Sequence, residues 1–600
     1  MKEKDSLPVW NLGKFFAGID DPSINETKLV LRQYILELNQ LKSHIPKMKD
    51  YDLLSFIRKY EQIVEKAHNL MNFASLNLCT QRDNKDAQIF EKRTEEFVLS
   101  IFEQISWVHE EIYNIPIEKK YELLQSQKFK DYQEWLTYNL LLPPTLSTAV
   151  RKAVNKFSSI TNGWNDLYKK MTSSLNFVVG KKQLTLDEIS EVAHCNGNKE
   201  QRDKALKVMS SEFLKHGYIF TQTLNSILKN EDVVAEIHLS NEDDDPLKYD
   251  ALDLDGFGNG LERESVLAIA TAVTDSYVPI SQRFYKLLAK LHGKDRIDYN
   301  DRLQNPIVVK EKEYSFSECL KIVLETIAVF SVDMAVTGAN IINSELIHAR
   351  PQKGKDTGAF CIRGKYPYIF LNYRGNQSSV LTFAHEFGHA IHHLYSYQSS
   401  GELNDSTPIS MAEVASLFNE KLIFNRLLSE EGLSDKEKLS LLIEDVNRQI
   451  ADIHRQIAFS KFELRAFRER QKGELSEERF TQIYAEEMER YLGFPLQEDA
   501  KFGWMGIPHI FNSPFYVRYY AFAGMVVNKL WQVYASGAIE DFSMKYEDML
   551  YNTGFESIDD LLSPFGLDIY APDFWTSALE PISVEIDEIE RLAKAEGLLQ

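Results

Sequence analysis

At 600 residues the chain is too long for one ordinary core, so two or more structural regions are expected, with ample material to bury. Aspartate and glutamate outnumber lysine and arginine by 89 to 68, and this net charge of −21 argues against nucleic acid as the main partner, because phosphate binding needs a basic surface. The four cysteines, Cys79, Cys195, Cys319 and Cys361, are widely spaced and form no CxxC pair, so neither a disulfide framework nor a thiolate zinc site is indicated, which fits a reducing, cytoplasmic setting.

The opening MKEKDSLPVWNLGKFF has charges but no apolar core or small-residue cleavage site, so no secretory signal is expected. The first two hundred residues read as long amphipathic helices, among them Glu26 to His44, Asp52 to Asn77 and Asp86 to Tyr113. A β-rich run and a glycine turn between Ser174 and Thr185 predict a small hairpin. The acidic, glycine-bearing stretch Ser240 to Gly260 predicts a long surface connection. Asp253, Asp255, Gly256 and Glu262 fall on EF-hand register there, but Ala251 stands at the first ligand position, and the GFGNG within it follows no βαβ unit. The apolar window Ile322 to Val336 holds Glu325 and Asp333 and is too short to span a bilayer, so a buried helix is expected and no membrane partner. Alternating Tyr366, Tyr368 and Phe370 within Gly354 to Arg374 predict a small sheet, after which the chain is helical almost to its end.

The helix that follows this sheet carries TFAHEFGHAIHHLY, Thr382 to Tyr395. At about 100° per residue, His385 and His389 differ by only about 40° in direction and roughly 6 Å in height, so two imidazoles can converge on one ion. Glu386 lies about 100° away, within reach of a water on that ion but turned from direct ligation, which is the HExxH arrangement. Zinc with an open position lowers the pKa of a water to about 7, and a nearby carboxylate can take its proton during attack on a carbonyl. The same five letters also arise by chance on ordinary helices.

His392 and His393 share roughly that face, and packing is the preferred reading for them, since an open catalytic site needs three protein ligands. The metzincin pattern fails because its glycine position is His392 and its last histidine position is Tyr395. A third ligand must come from elsewhere. In TPISMAEVASLFNE, Ser410 and Glu413 spell a capping box, the slightly favoured reading on spacing alone. Beside HExxH, however, Glu413 is the best-positioned third ligand, and Glu420, two turns on, could accept a hydrogen bond from a ligating histidine.

Four ordered blocks, GKDTGAFC, YPYIFLNYRGN, TFAHEFGHAIHH and EVASLFNE, resemble the catalytic core of the oligoendopeptidase F family, thimet oligopeptidase-like zinc metallopeptidases. The opening LPVWNLGKFF, the segment Leu291 to Ile307 and the late FWTSALEPISVEIDEIERL are similar to family segments too, so the resemblance covers nearly the whole chain. It implies a mainly α, two-lobed metallopeptidase with a deep central channel and a small β-sheet next to the HExxH helix. The implied domains are a helical N-terminal domain over 1–205 and a catalytic domain over 206–600. It implies one zinc ion held by His385, His389 and Glu413, with Glu386 as general base, Glu420 orienting a ligand, and short unfolded peptides as substrates.

The late segment PHIFNSPFYVRYYAF, Pro508 to Phe522, resembles the family's oxyanion-stabilising stretch, with His509 the match and Tyr516, Tyr519 or Tyr520 the phenolic donor. Helix packing is the competing role for those aromatics. A zinc carboxypeptidase with a similar helical body and an inactive peptide-binding scaffold are the alternative functions.

Overall fold

A computed structural model describes residues 7–141, 148–239, 250–258, 261, 263–310, 312–403, 407–554, 556–571 and 573–599. Among these the fold is mainly α, with two small sheets. The helices begin where the sequence supplies acceptors for the orphan N–H groups of a first turn. Asp21 accepts from Ser23 ahead of Pro22–Leu41, and Asn84 accepts from Asp86 and Ala87 ahead of Lys85–Ile105. Thr185, Ser315 and Ser434 form capping boxes with Glu188, Glu318 and Glu437.

Contacts gather into two compact units that interleave along the chain. The first comprises residues 1–156, 311–424 and 541–561, the second residues 157–310, 425–540 and 562–600. Residue 205, where the sequence reading sets its domain boundary, lies inside the second unit. In the first unit, Pro22–Leu41, Asp50–Cys79 and Lys85–Ile105 pack through Leu31, Ile35, Ile57, Ile63 and Ile101, all nearly fully buried. The third expected helix ends at Ile105, and Val108–Tyr113 is a separate short helix.

The apolar window does not form one buried helix. Ser331 ends Phe316–Phe330 and caps Val332–Asn343 by accepting from Met334, and Val329, Val332 and Val336 are exposed at 86%, 67% and 56%. No described helix is long and apolar enough to cross a membrane.

The expected hairpin is present as β1 (Phe177–Val179) and β2 (Lys182–Leu184), antiparallel around Gly180 at φ +66°. The second sheet has β3 (Ile347–His348), β4 (Phe360–Cys361) and β5 (Ile369–Phe370) in the order β3-β5-β4. β5 runs parallel to β3 and antiparallel to β4, so β4 is an edge. The Lys355 ammonium binds the sheet's margin by donating to the carbonyls of His348, Arg350 and Leu371.

Most of the acidic stretch, 240–249 with 259 and 260, lies outside the described residues, as does Glu262 of the EF-hand register. Its described part is a helix, Ala251–Gly258, with Ala251 and Leu252 buried, where a surface connection was expected. Asp253 accepts from the Asp250 backbone and Asp255 pairs with Arg518, so these carboxylates serve the fold and not an EF-hand. Cys79, Cys319 and Cys361 are free thiols.

Candidate active site

Two helices of the first unit build the site: the histidine helix Gln377–Ser400 and the glutamate helix Ile409–Leu428. The first starts at Asn376, whose side chain accepts from Ser379. What lets the two approach is Gly388, inside HEFGH. A Cβ there would lie 2.8 Å from the Ala415 carbonyl oxygen and 2.9 Å from the Ser416 Cα, backbone atoms that cannot step aside. Asn419 fastens the contact by donating to the Ala384 carbonyl.

Across this interface Glu413 turns to the histidines. Its Oε2 is 3.5 Å from His385 Nε2 and 3.7 Å from His389 Nε2, and it accepts from Ser416 Oγ at 3.2 Å. One ligand atom from each of the three residues falls within 4.8 Å of the others. Two ligands at 2.0–2.1 Å from a tetrahedral ion stand about 3.3 Å apart, so the observed separations fit a shared divalent cation. The helix begins at Ile409, which places Ser410 inside it, and the capping-box reading of Ser410 and Glu413 does not hold.

Glu420 stands where a ligand orienter is needed, its Oε2 3.2 Å from His385 Nδ1, leaving Nε2 toward Glu413. Glu386 is buried, and its Oε2 has no hydrogen-bond partner. Burial pushes its carboxyl up to about 7, against the opposing influence of His385. Burial also opposes charge on Glu413 but is outweighed by His385 and His389, which bring it down to about 2. Burial drives His389 down to about 4. For His385 the burial cost is exceeded by Glu413 and Glu420, which hold it well above the usual imidazole range. An ionised carboxylate and a neutral imidazole are donors a divalent ion takes, and His385 would release its proton to join them.

The other two histidines pack. His392 Nε2 is 2.6 Å from Thr553 Oγ1, and the His393 ring stacks on both His389 and His392. Burial pushes His392 down to about 3 and His393 well below the usual range, so both stay neutral.

The late segment belongs to the second unit, as the short helix Pro508–Asn512, a turn, and the helix Arg518–Ser536. His509 is exposed; its ring stacks on Tyr516 at 5.7 Å and meets Tyr520 edge-on at 6.0 Å. Tyr519, in the expected donor set, is instead 1% exposed and donates its hydroxyl to Asp255 Oδ2 at 2.8 Å. The partly accessible phenols are therefore Tyr516 and Tyr520.

A residue missed in the sequence sets this turn. Phe515 has φ +65°, a left-handed conformation a bulky residue rarely takes, and its N–H donates to the buried Glu463 Oε1 at 3.0 Å. Nothing in the sequence joins positions 52 apart. Gly388 was readable in principle, as a glycine within a helical apolar run.

Residues 311–581 match Peptidase family M3. An oligoendopeptidase F homolog of Lactococcus lactis subsp. lactis is 24% identical over 421 residues, covering 68% of each chain. Oligopeptidase PepF of Bacillus subtilis is 22% identical over 605 residues, covering 97% of this chain and 87% of its own. The crystal structure of oligoendopeptidase-F from Enterococcus faecium shares the fold, with a TM-score of 0.71 at 16% identity over 95% of this chain and 99% of that one. These matches agree with the ordered sequence blocks: residues 311–581 carry the Peptidase family M3 match, and the similarities along the rest of the chain support the oligoendopeptidase F family.

Proposed function

We propose that the protein is a zinc-dependent endopeptidase that hydrolyses internal bonds of short, unfolded peptides. The observation that carries this reading is the convergence of His385, His389 and Glu413 from two helices, beside a buried carboxylate that none of them engages. The catalytic domain is assigned to 206–600, which contains the family match, and the helical N-terminal domain to 1–205. The free thiols and acidic balance support a cytoplasmic peptide pool as its source of substrate.

His385, His389 and Glu413 would hold one zinc ion, nitrogen and carboxylate donors with three protein ligands being the composition of open catalytic zinc sites. When bound, zinc supplies a Lewis acid that polarises a carbonyl and brings the pKa of a water to about 7. Glu386 takes the proton of the attacking water on its unengaged oxygen and returns it to the departing amine. Its burial suits this two-way role, because desolvation favours the protonated carboxyl and so strengthens it as a base toward the attacking water. Glu420 accepts from His385 Nδ1 and so fixes the ring's tautomer and direction. His509 and Tyr516 are assigned as donors to the oxyanion, a role supported by their mutual stacking, which holds both before substrate arrives. Tyr519 is left out because Asp255 already takes its hydroxyl.

Cleavage of a blocked, internally quenched peptide by the zinc-loaded wild type and by Glu386→Gln tests the reading. The variant is expected to retain zinc and to lose about 10²–10⁴-fold in kcat. Comparable rates would remove Glu386 as the base. Mass spectrometry of the products distinguishes internal cuts from stepwise loss of C-terminal residues, which would favour a carboxypeptidase, and stoichiometric binding without hydrolysis would favour a scaffold.

A further inference from the structure

Within the second unit a cavity of about 440 Å³ lies among the helices Leu186–Cys195, Lys199–Lys215 and Gln456–Arg470 and the helical turn Glu498–Gly506. Two arginines, Arg302 and Arg455, are among its lining residues. Arg302, 3% exposed, donates to the Tyr299 carbonyl at 2.6 Å, lies 3.4 Å from His194 Nδ1 and covers the Tyr299 ring at 3.7 Å. Arg455 closes the π-helical turn Ile450–Arg455, and its buried Nε has no hydrogen-bond partner. Among the described residues neither arginine forms an ion pair.

Other buried or half-buried arginines of this unit are differently placed. Arg202, Arg465, Arg479 and Arg518, in the same unit, each meet a carboxylate. A chain of net charge −21 has acids in excess, so two cations left together at one cavity, one of them buried, are costly unless an anion joins them. Asp499 also lines the cavity, and among the described residues it forms no ion pair with either arginine. His194 offers no negative charge in either protonation state, and burial and then the two arginines keep it neutral.

We propose that this cavity binds a small organic carboxylate, and that its occupant is the free C-terminal carboxylate of a short peptide. The guanidinium forks match a carboxylate. The remaining wall, with Leu206, Met209, Phe213, Phe459 and Phe502, suits apolar side chains better than it suits a bare phosphate. The volume accommodates about a dipeptide, and the wall continues through Ile507 and Pro508 directly into His509. Naming a peptide as occupant rests on the peptidase reading, whereas the carboxylate chemistry does not.

Titration calorimetry of the full chain with N-acetyl-leucyl-leucine, with its C-terminal amide and with inorganic phosphate tests the site without turnover. The acid is expected to bind at least tenfold more tightly than the amide, and Arg455→Met and Arg302→Met to lose that difference. Arg455 is only half-buried, so its variant keeps the test available if Arg302→Met misfolds. In assays with matched peptide acids and amides, Arg455→Met should raise KM for the acid alone and leave kcat unchanged. Equal binding of acid and amide, or full acid selectivity in natively folded Arg455→Met, would overturn the proposal. Phosphate binding tighter than the peptide acid would overturn the carboxylate assignment. A wild type that selects the acid but cleaves nothing would keep the carboxylate site and sink only the peptidase reading.

Discussion

Tyr516 and Tyr519 stand three positions apart, yet they face different chemistry. Tyr519 is held by an aspartate 264 positions away, and Tyr516 stacks on His509. Tyr519→Phe should therefore cost about 1.5–3 kcal/mol of stability, the usual net worth of a hydrogen bond to a charged group, with kcat nearly unchanged. Tyr516→Phe should keep the melting temperature and lower kcat by up to about 10²-fold, the loss of one oxyanion donor. Thermal melts and steady-state rates on the two variants check both halves. The approach of His385 and His389 to one another was legible because helix geometry fixes how His385, Glu386 and His389 project, and the downstream Glu413 lies within 4.8 Å of both. Which tyrosine presents its phenol was not legible, because the contact with Asp255 is made by tertiary packing.

At the scale of elements, the site depends on how closely two helices pack and on how one turn is held. Gly388→Ala would place a methyl group against the backbone of Ala415 and Ser416. The expected outcome is a retained far-ultraviolet helical spectrum with at least tenfold weaker zinc binding, read by chelator competition, because Glu413 is carried away from the histidines. Glu463 gives the second test. Burial pushes its carboxyl up to about 8, only partly countered by the Phe515 N–H and Arg518. The folded protein thus holds a proton that the unfolded chain, near 4.5, releases. The stability this contributes is complete below pH 4.5 and is lost as pH rises through about 8. Glu463→Gln keeps an acceptor for Phe515 without the charge, so it should gain stability over wild type at pH 8.5 but not at pH 4.5, by on the order of a few kcal/mol. Parallel melting temperatures at the two pH values would contradict it. Element types were readable from periodicity. Their ends were less so: the apolar window breaks at Ser331 because that side chain caps a new helix, and Ser410 falls within a helix that starts one residue earlier.

Over the whole molecule, the mainly α character follows from long amphipathic runs with few internal glycines, and the small sheets appear where β-branched and aromatic residues cluster. The interleaving of the two compact units could not be read from linear order, since residues 1–156 join 311–424 and 541–561 only through tertiary contacts. One consequence is that the histidine helix is packed against a segment far downstream, with His392 meeting Thr553 and Tyr395 donating to Glu547. The central claim is that three side chains from two helices hold one catalytic metal. Its most direct test is zinc content after exhaustive dialysis, measured with peptide cleavage on the same samples of wild type and Glu413→Ala. The account predicts about one zinc per chain and turnover in the wild type, and loss of both in the variant with the helical spectrum intact. A Glu413→Ala protein that keeps its zinc and its rate would contradict it.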